Sequence, residues 1–455
     1  MLRRHIKIFS SAALIFLLII ILPWQAVSQI SNYQIMPLRD RAEWIDSMLE
    51  KRFDEVLPQL MKSEGIDMWV LISREYNEDP VLKTMLPSSW LSARRRTILV
   101  FYQPQGGGPL EKLAIARYDV GTLLKGTWNL EVFPDQWEAL RDVILRYKPA
   151  KIGLNTSSHF GLADGLVSTD YQLFLNAIPR SYRKKIVSAE KLCLRWLESR
   201  TEMEIEAYRK ICGLSREIIM AAFDQENIMA GKTTTDDIVW RLRQITSDLG
   251  LESWFHPTVS IQRADNTAFD HLRSFSKRPT GESVEYGDLL HVDFGISYLR
   301  LHTDQQQHFY VLRPGEEKVP LSLENAFNKA NALQDLLTEQ FKSGISGNDI
   351  LKNTLSRARE ENILCSVYSH PIGFHGHAAG PTIGLWDQQG GVPGSGDYVI
   401  YPNTAYSIEL NAASEIPEWG KVIRIMLEED GYFDGQKFHY FSGRQKDIYP
   451  LRVKP

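Results

Sequence analysis

From Leu38 to Gly65 the apolar positions Trp44, Met48, Leu49, Phe53, Val56, Leu57, Leu60 and Met61 recur mostly at steps of three and four, which predicts one long amphipathic helix that stops at Gly65. Short β-type runs follow at residues 68–72, 97–102, 113–116 and 151–154, with a helical pattern over 135–147 between them. This alternation predicts a compact α/β domain over residues 36–190. A different pattern starts near Leu197. Ile205, Tyr208, Ile211, Leu214, Ile218 and Ile219 share one helical face, and Thr233-Thr234-Thr235-Asp236 caps a further helix through Leu249. Beyond Gly250 strands dominate, at 259–261, 289–294, 309–312, 405–410 and 422–427, interrupted by helical stretches at 321–342 and 346–361. The expected class is α+β, an N-terminal α/β domain followed by a second domain over 197–440.

Composition changes this picture little. The chain of 455 residues is 43% apolar and 24% charged, ample for two full cores. A net charge of -4 from intermixed signs excludes a polyanion-binding surface, so no nucleic-acid partner is expected. Residues 1–28 stand apart. Arg3, Arg4 and Lys7 precede an apolar run from Ala12 to Leu22, and Ala26-Val27-Ser28 supplies small residues before Gln29. That succession predicts a secretory signal peptide and export to the periplasm or the extracellular space. The run falls short of the roughly twenty residues that span a bilayer, so an uncleaved membrane anchor is the alternative. Cys193, Cys212 and Cys365 are odd in number and show no C-x-x-C spacing, which predicts buried free thiols rather than a disulfide framework.

The candidate chemistry lies in the second domain. Asp293 interrupts the apolar strand Leu289-Leu290-His291-Val292-Asp293-Phe294, where an uncompensated carboxylate costs several kcal/mol unless a cation or donors meet it. Asp304 follows eleven positions later, after a hairpin-like stretch. Glu409 repeats the pattern of an acid inside an apolar strand, in Ser407-Ile408-Glu409-Leu410. Glu428 and Glu429 are adjacent, so on a strand they face opposite ways and one alone can join the set; Glu428 is taken first. Between these acids, Ser369 to Gly380 packs His370, His375 and His377 with three glycines, poor core material but suited to close approach to a cation. His377 is the first choice of ligand and His375 its rival. One imidazole among carboxylates suits Mn²⁺, Co²⁺ or Zn²⁺ better than Ca²⁺.

These motifs together resemble the pita-bread metallopeptidases, the family of creatinase, aminopeptidase P, prolidase and methionine aminopeptidase, and fit the aminopeptidase P and prolidase branch best. The resemblance rests on Asp293-Phe294-Gly295, on Asp304, on Gly376-His377-Ala378-Ala379-Gly380, on Ile408-Glu409, on Glu428-Glu429 and on the helix start Arg200-Thr201-Glu202-Met203-Glu204-Ile205. It implies a pita-bread catalytic domain with a curved antiparallel sheet and flanking helices. It also implies two divalent cations, Mn²⁺ first, held by Asp293, Asp304, His377, Glu409 and Glu428. By the same resemblance His271, in Phe269-Asp270-His271-Leu272, is the histidine that contacts the scissile carbonyl, and His256 lies at most behind it. Two departures stand out. The family has a basic residue shortly after its second Asp, where this chain has Gln305-Gln306-Gln307-His308. It has a second histidine about seven positions after the loop histidine, where this chain has Gly384.

The implied activity is that of a metal-dependent exopeptidase cutting the Xaa-Pro bond at a peptide N-terminus, with a Xaa-Pro dipeptidase as alternative. Two cations would hold a water as hydroxide, Glu409 would shuttle its proton, and His271 would donate to the oxyanion. The substrate is a peptide with proline second, its ring received among Phe374, Ile383, Leu385 and Trp386. Pairing into a homodimer is expected from the family. Two readings of other classes are a metal-free amidinohydrolase resembling creatinase and a binding module that has lost its metals; both call for missing acidic ligands, and all are present here.

Overall fold

The computed structural model describes residues 35–267 and 281–454. The expected signal peptide over 1–28 and the candidate His271 lie outside the described residues. Among those described, no helix is long and apolar enough to cross a membrane.

The first amphipathic stretch is two helices, α1 (Leu38–Lys51) and α2 (Leu57–Glu64), joined by a π-helical turn over Arg52–Val56. Pro58 explains the break: with no N–H it cannot continue the helical ladder, and the backbone widens just before it. Gly65 closes α2 with φ 63, a left-handed cap that only glycine adopts freely.

The sheet that follows is mixed. Its strands are β1 (Met68–Arg74), β2 (Arg96–Tyr102), β3 (Glu111–Ala114), β4 (Lys125–Gly126), β5 (Ile152–Leu154) and β6 (Ile186–Ser188), in the order β4-β3-β2-β1-β5-β6. β1 runs antiparallel to β2 and parallel to β5. Its alternation sorts the two faces: Met68, Val70 and Ile72 pack against α3 (Gln136–Tyr147) and α4 (Ser168–Ala177), whereas Trp69 and Leu71 join Phe53 and Leu57 on the other side. α5 (Glu190–Glu198) then leads to the second half of the chain.

α6 (Glu202–Ala222) starts in a capping box in which Thr201 and Glu204 bond each other's backbone, and α7 (Thr235–Asp248) repeats the device with Thr234 and Asp237. A three-stranded piece holds β7 (Glu252–Ser253), β10 (Ile296–Tyr298) and β11 (Leu301–His302). The large sheet is built on β8 (Thr258–Gln262), β9 (Leu289–Phe294), β12 (Gln305–Val311), β13 (Leu364–Val367), β15 (Thr404–Ile416) and β16 (Lys421–Phe433), in the order β13-β15-β16-β12-β9-β8. The short β14 (His370–Pro371) pairs with β15. β15 and β16 form a long hairpin of thirteen residue pairs. Tyr406, Ile408, Leu410, Ile425 and Leu427 on one face are buried against α8 (Leu321–Thr338) and α9 (Gly347–Glu360). The alternate residues of the same strands face the other way, and the candidate site lies there.

A buried ionic cluster ties the two halves together. The Arg52 guanidinium, in the π-helical turn, donates to Glu204 Oε2 at 2.8 Å, to the Ser199 carbonyl at 2.7 Å and to the Trp196 carbonyl. Arg200 donates to Glu204 Oε1 at 2.8 Å and to the Leu197 carbonyl. Burial works against charge at Glu204, yet the flanking Arg200 and Arg52 hold its carboxyl below the ordinary value. Burial first, then neighbouring Arg200, brings Arg52 down to about 10, so it stays charged at neutral pH. Both guanidiniums lie over the Phe374 ring, at 4.9 and 4.7 Å. Glu204→Gln is expected to destabilise the fold by about 3–5 kcal/mol, because it leaves two buried cations short of their counter-charge. Denaturant unfolding measures this, with the solvent-facing Glu206→Gln as the control that leaves the midpoint unchanged.

Candidate metal centre

Strand register builds the site. Asp293 of β9 lies directly opposite Gln306 of β12, Gln306 opposite Glu428 of β16, and Glu428 opposite Glu409 of β15. Four side chains thus stand in one row on one face of the sheet, at the roughly 4.8 Å spacing of neighbouring strands. Asp304, the residue before β12, joins them through the hairpin of β10 and β11. The turn of that hairpin, Leu299 and Arg300, takes left-handed φ of 55 and 64, an unfavourable conformation for both residue types. It is held from outside, since Arg300 donates to the Leu86 carbonyl at 2.6 Å and the Tyr298 hydroxyl accepts from Met36 N at 2.9 Å.

His370 enters from β14, opposite Ser407 of β15. Its Nδ1 lies 3.0 Å from the Pro371 carbonyl, which can only accept, so Nδ1 carries the proton. In the neutral ring the Nε2 lone pair then faces Glu428 Oε1 at 3.4 Å and Asp304 Oδ2 at 3.8 Å. Electron-rich atoms turned on one another in this way leave room for a cation. The His377 ring stands edge-on to His370 at 4.7 Å, with Trp254 at 5.2 Å on another side. Three overlapping groups have their donor atoms within 4.8 Å of one another: Asp304, His370 and His377; His370, Glu409 and Glu428; and Asp293, Asp304 and Glu428.

Electrostatics point the same way. Asp304 and Glu409 are pushed well above the usual carboxylate range, first by burial and then by each other's neighbours Glu428 and Asp293. Burial, and then His370, bring His377 down to about 4. Burial, and then His302, do the same for His375. Both imidazoles are therefore neutral at pH 7. Carboxylates and an imidazole whose Nε2 is turned inward fit a divalent cation of the Mn²⁺, Co²⁺ or Zn²⁺ kind.

The structure brings Asp293, Asp304, Glu409 and Glu428 together and puts His377 at their edge. Glu429 faces away, accepting from Arg216 at 2.8 Å, Gln445 N at 2.8 Å and Gln307 at 2.9 Å. His375 belongs to none of the three donor groups. His256 is a surface residue beside Arg243 and Trp240. Two residues expected around a proline ring are committed elsewhere: Phe374 lies between the guanidiniums of Arg52 and Arg200, and Ile383 is fully buried in the core behind the sheet. His370, Gln306 and Ser407 are the site residues that sequence reasoning passed over. The signal for His370 was present, because a histidine stands seven positions after it, at His377, which is the family interval not found after His377 itself.

Residues 206–429 match metallopeptidase family M24, a span that runs from α6 to the residue after Glu428 and encloses the whole row. The chain carries a domain of metallopeptidase family M24. This M24 member is accordingly classed as a peptidase, a hydrolase of a metal-dependent family, and its carboxylate and histidine groups suit that dependence. No curated protein sequence matches the chain. Solved structures do. The X-Pro aminopeptidase from Thermotoga maritima MSB8 superposes with a TM-score of 0.60 at 16% identity, covering 86% of this chain and 100% of that one. The Xaa-Pro dipeptidase from Bacillus anthracis gives 0.55 at 17%, covering 91% and 100%. The prolidase from Pyrococcus furiosus gives 0.54 at 14%, covering 85% and 99%. At such identities the likeness is one of fold, and the fold is the pita-bread fold with its preceding α/β part.

The pKa displacements predict how this M24 protein responds to pH without metal. Histidines held below 6.5 add stability as the pH rises from about 4 to 6.5, whereas carboxylates held above 3.8 and 4.5 remove it as the pH rises. Above 6.5 the histidine contribution is complete and the carboxylates alone still act. The thermal midpoint of metal-free protein should fall as the pH is raised from 6.5, and Mn²⁺ should reduce that slope; a midpoint that is level or rising counts against the buried-carboxylate account.

Proposed function

We propose that the chain is an exopeptidase that hydrolyses the Xaa-Pro bond at the N-terminus of peptides, using two divalent cations. The observation that carries this is the inward Nε2 lone pair of His370 among the aligned carboxylates. One cation would be held by His370, Glu409 and Glu428, the other by Asp293, Asp304 and Glu428, with Mn²⁺ first and Co²⁺ or Zn²⁺ as alternatives. In this assignment His370 replaces His377 as the ligand, and His377 takes the place of the family's second histidine.

When bound, such cations supply Lewis acidity, which lowers the pKa of water and polarises a carbonyl. The remaining work falls to the protein. Glu409, the last carboxylate of the row, takes a proton from the attacking water and delivers it to the leaving nitrogen. His377, at the edge of the site beside His370, donates a hydrogen bond to the substrate carbonyl, and His271 keeps the oxyanion role that the family resemblance gives it. A peptide N-terminus would enter this pocket as its free amine. A tertiary Xaa-Pro amide lacks an N–H and so escapes peptidases that bind that group, which makes it a natural substrate for an enzyme that grips the carbonyl and the amine instead. The names of the solved relatives, X-Pro aminopeptidase and Xaa-Pro dipeptidase, support this bond as the target. The basic, apolar and small-residue succession of residues 1–28 supports export.

The deciding assay offers Xaa-Pro dipeptides and longer Xaa-Pro peptides to Mn²⁺-loaded protein. Chelator-sensitive cleavage of the longer peptides fits the aminopeptidase, cleavage of dipeptides alone fits the dipeptidase, and chelator-resistant turnover or none at all removes the proposal. Glu409→Gln is expected to lower turnover by about 10²–10⁴-fold while raising the thermal midpoint of the metal-free protein, since it deletes one of the opposed charges. His370→Ala should lose bound metal, and His377→Ala should keep its metal with reduced turnover; elemental analysis distinguishes the two.

A further inference from the structure

Gln306 is the neutral member of the acidic row, and its hydrogen bonds have a direction. Its Nε2 lies 2.8 Å from Glu409 Oε1 and 2.8 Å from Glu428 Oε2. Carboxylates that hold a cation are ionised and only accept, so the amide nitrogen is the atom that faces them. The amide oxygen is thereby turned to His291, whose Nε2 lies 2.8 Å away and must carry the proton. The His291 Nδ1 then accepts, and the Ser260 hydroxyl stands 3.3 Å from it. A polarised chain runs from Ser260 through His291 and Gln306 to the two glutamates. The neighbouring Gln305 and Gln307 point to the other face and bond Glu429, so the three successive glutamines serve two faces of one strand.

We infer that Gln306 is a positioning residue that fixes which oxygen of Glu409 turns toward the cations and, with Ser407, holds the Glu428 carboxylate in place. Each glutamate has one oxygen engaged by the amide, and Ser407 Oγ donates to the other oxygen of Glu428 at 2.8 Å. Glu409 is thus left to present Oε2. A basic residue at this rung would also orient the glutamates, but it would neutralise one of them and compete with a cation for the site. An amide gives two charge-assisted hydrogen bonds with no added charge. This accounts for an amide rather than a charged side chain at this rung. A flipped Gln306 would present its oxygen to both carboxylates and its nitrogen to the His291 Nε2–H, so the amide is held from both sides.

The inference rests on the cation reading above. The probe is Mn²⁺ alone, titrated calorimetrically into metal-free parent and Gln306→Met, a variant of similar length that cannot donate. The visible spectrum of the Co²⁺-loaded proteins is the second readout, since it follows ligand arrangement rather than stability. With circular dichroism unchanged, the variant should bind Mn²⁺ about 10–100-fold more weakly and show a shifted Co²⁺ spectrum. Parent-like affinity together with a parent-like spectrum overturns the role of Gln306 and leaves the peptidase reading standing; a parent that binds no Mn²⁺ overturns both. If Gln306→Met does not fold, His291→Phe tests the same chain one step further back. It should weaken Mn²⁺ binding by a smaller factor, and unchanged binding there overturns the inference.

Discussion

Everything at the site depends on the register of four antiparallel strands. Side chains on a strand alternate faces, so a slip of one residue between β12 and β16 would replace Glu428 by Glu429 and turn the acidic row inside out. What prevents the slip is the opposite face. Tyr406, Ile408, Leu410, Ile425 and Leu427 are at most 2% exposed, and each would come out of its core if its strand shifted. Burial of an aliphatic or aromatic side chain is worth about 1.5–3 kcal/mol, and several act together. Like charges placed opposite one another on neighbouring strands destabilise a sheet by less per pair. The apolar face therefore imposes the arrangement that the polar face resists.

The N-terminal half contributes to the site without entering it. Arg52 reaches the start of α6, and Phe374, beneath its guanidinium, lies in the segment between His370 and His377. Tyr208 of α6 donates to the Gly373 carbonyl at 3.3 Å, and His302 N donates to the same oxygen at 3.0 Å. His370 and His377 are thus spaced by contacts made well away from the carboxylates. The strained turn at Leu299 and Arg300 acts similarly on Asp304, drawing its hairpin toward the carbonyls of Leu86 and Pro87.

Much of this was legible in the sequence, for definite reasons. Asp293 and Glu409 stood out because each interrupts an apolar run, and β9 was delimited by its apolar residues alone. β12 begins earlier than periodicity indicated because Gln305, Gln306 and Gln307 are buried amides, satisfied by partners distant in sequence. β15 extends beyond Leu410 because polar residues such as Asn411 are satisfied across the hairpin by Arg424, and β16 extends beyond Leu427 because its next residues, Glu428, Glu429 and Asp430, are buried acids. The single long helix divided at Arg52 because a π turn still keeps apolar residues near one face, so the spacing alone did not expose it; Pro58 did carry the signal. His370 carried a signal in its seven-residue interval to His377, but its place in the row follows from pairing with Ser407, which is a property of the fold.

The π turn at Arg52 carries a consequence for how separable the parts of this chain are. Its guanidinium is the only group contributed by the N-terminal helices to the capping box that begins α6, among the contacts described above, and it enters where no water can replace it. A chain trimmed to residues 197 onward would begin with an acid that has lost one of its two counter-ions and an aromatic ring stripped on one side. The leading part of the polypeptide is in that sense a piece of the peptidase's interior that happens to be encoded first, and swapping it for another α/β module would require supplying a cation at the same point.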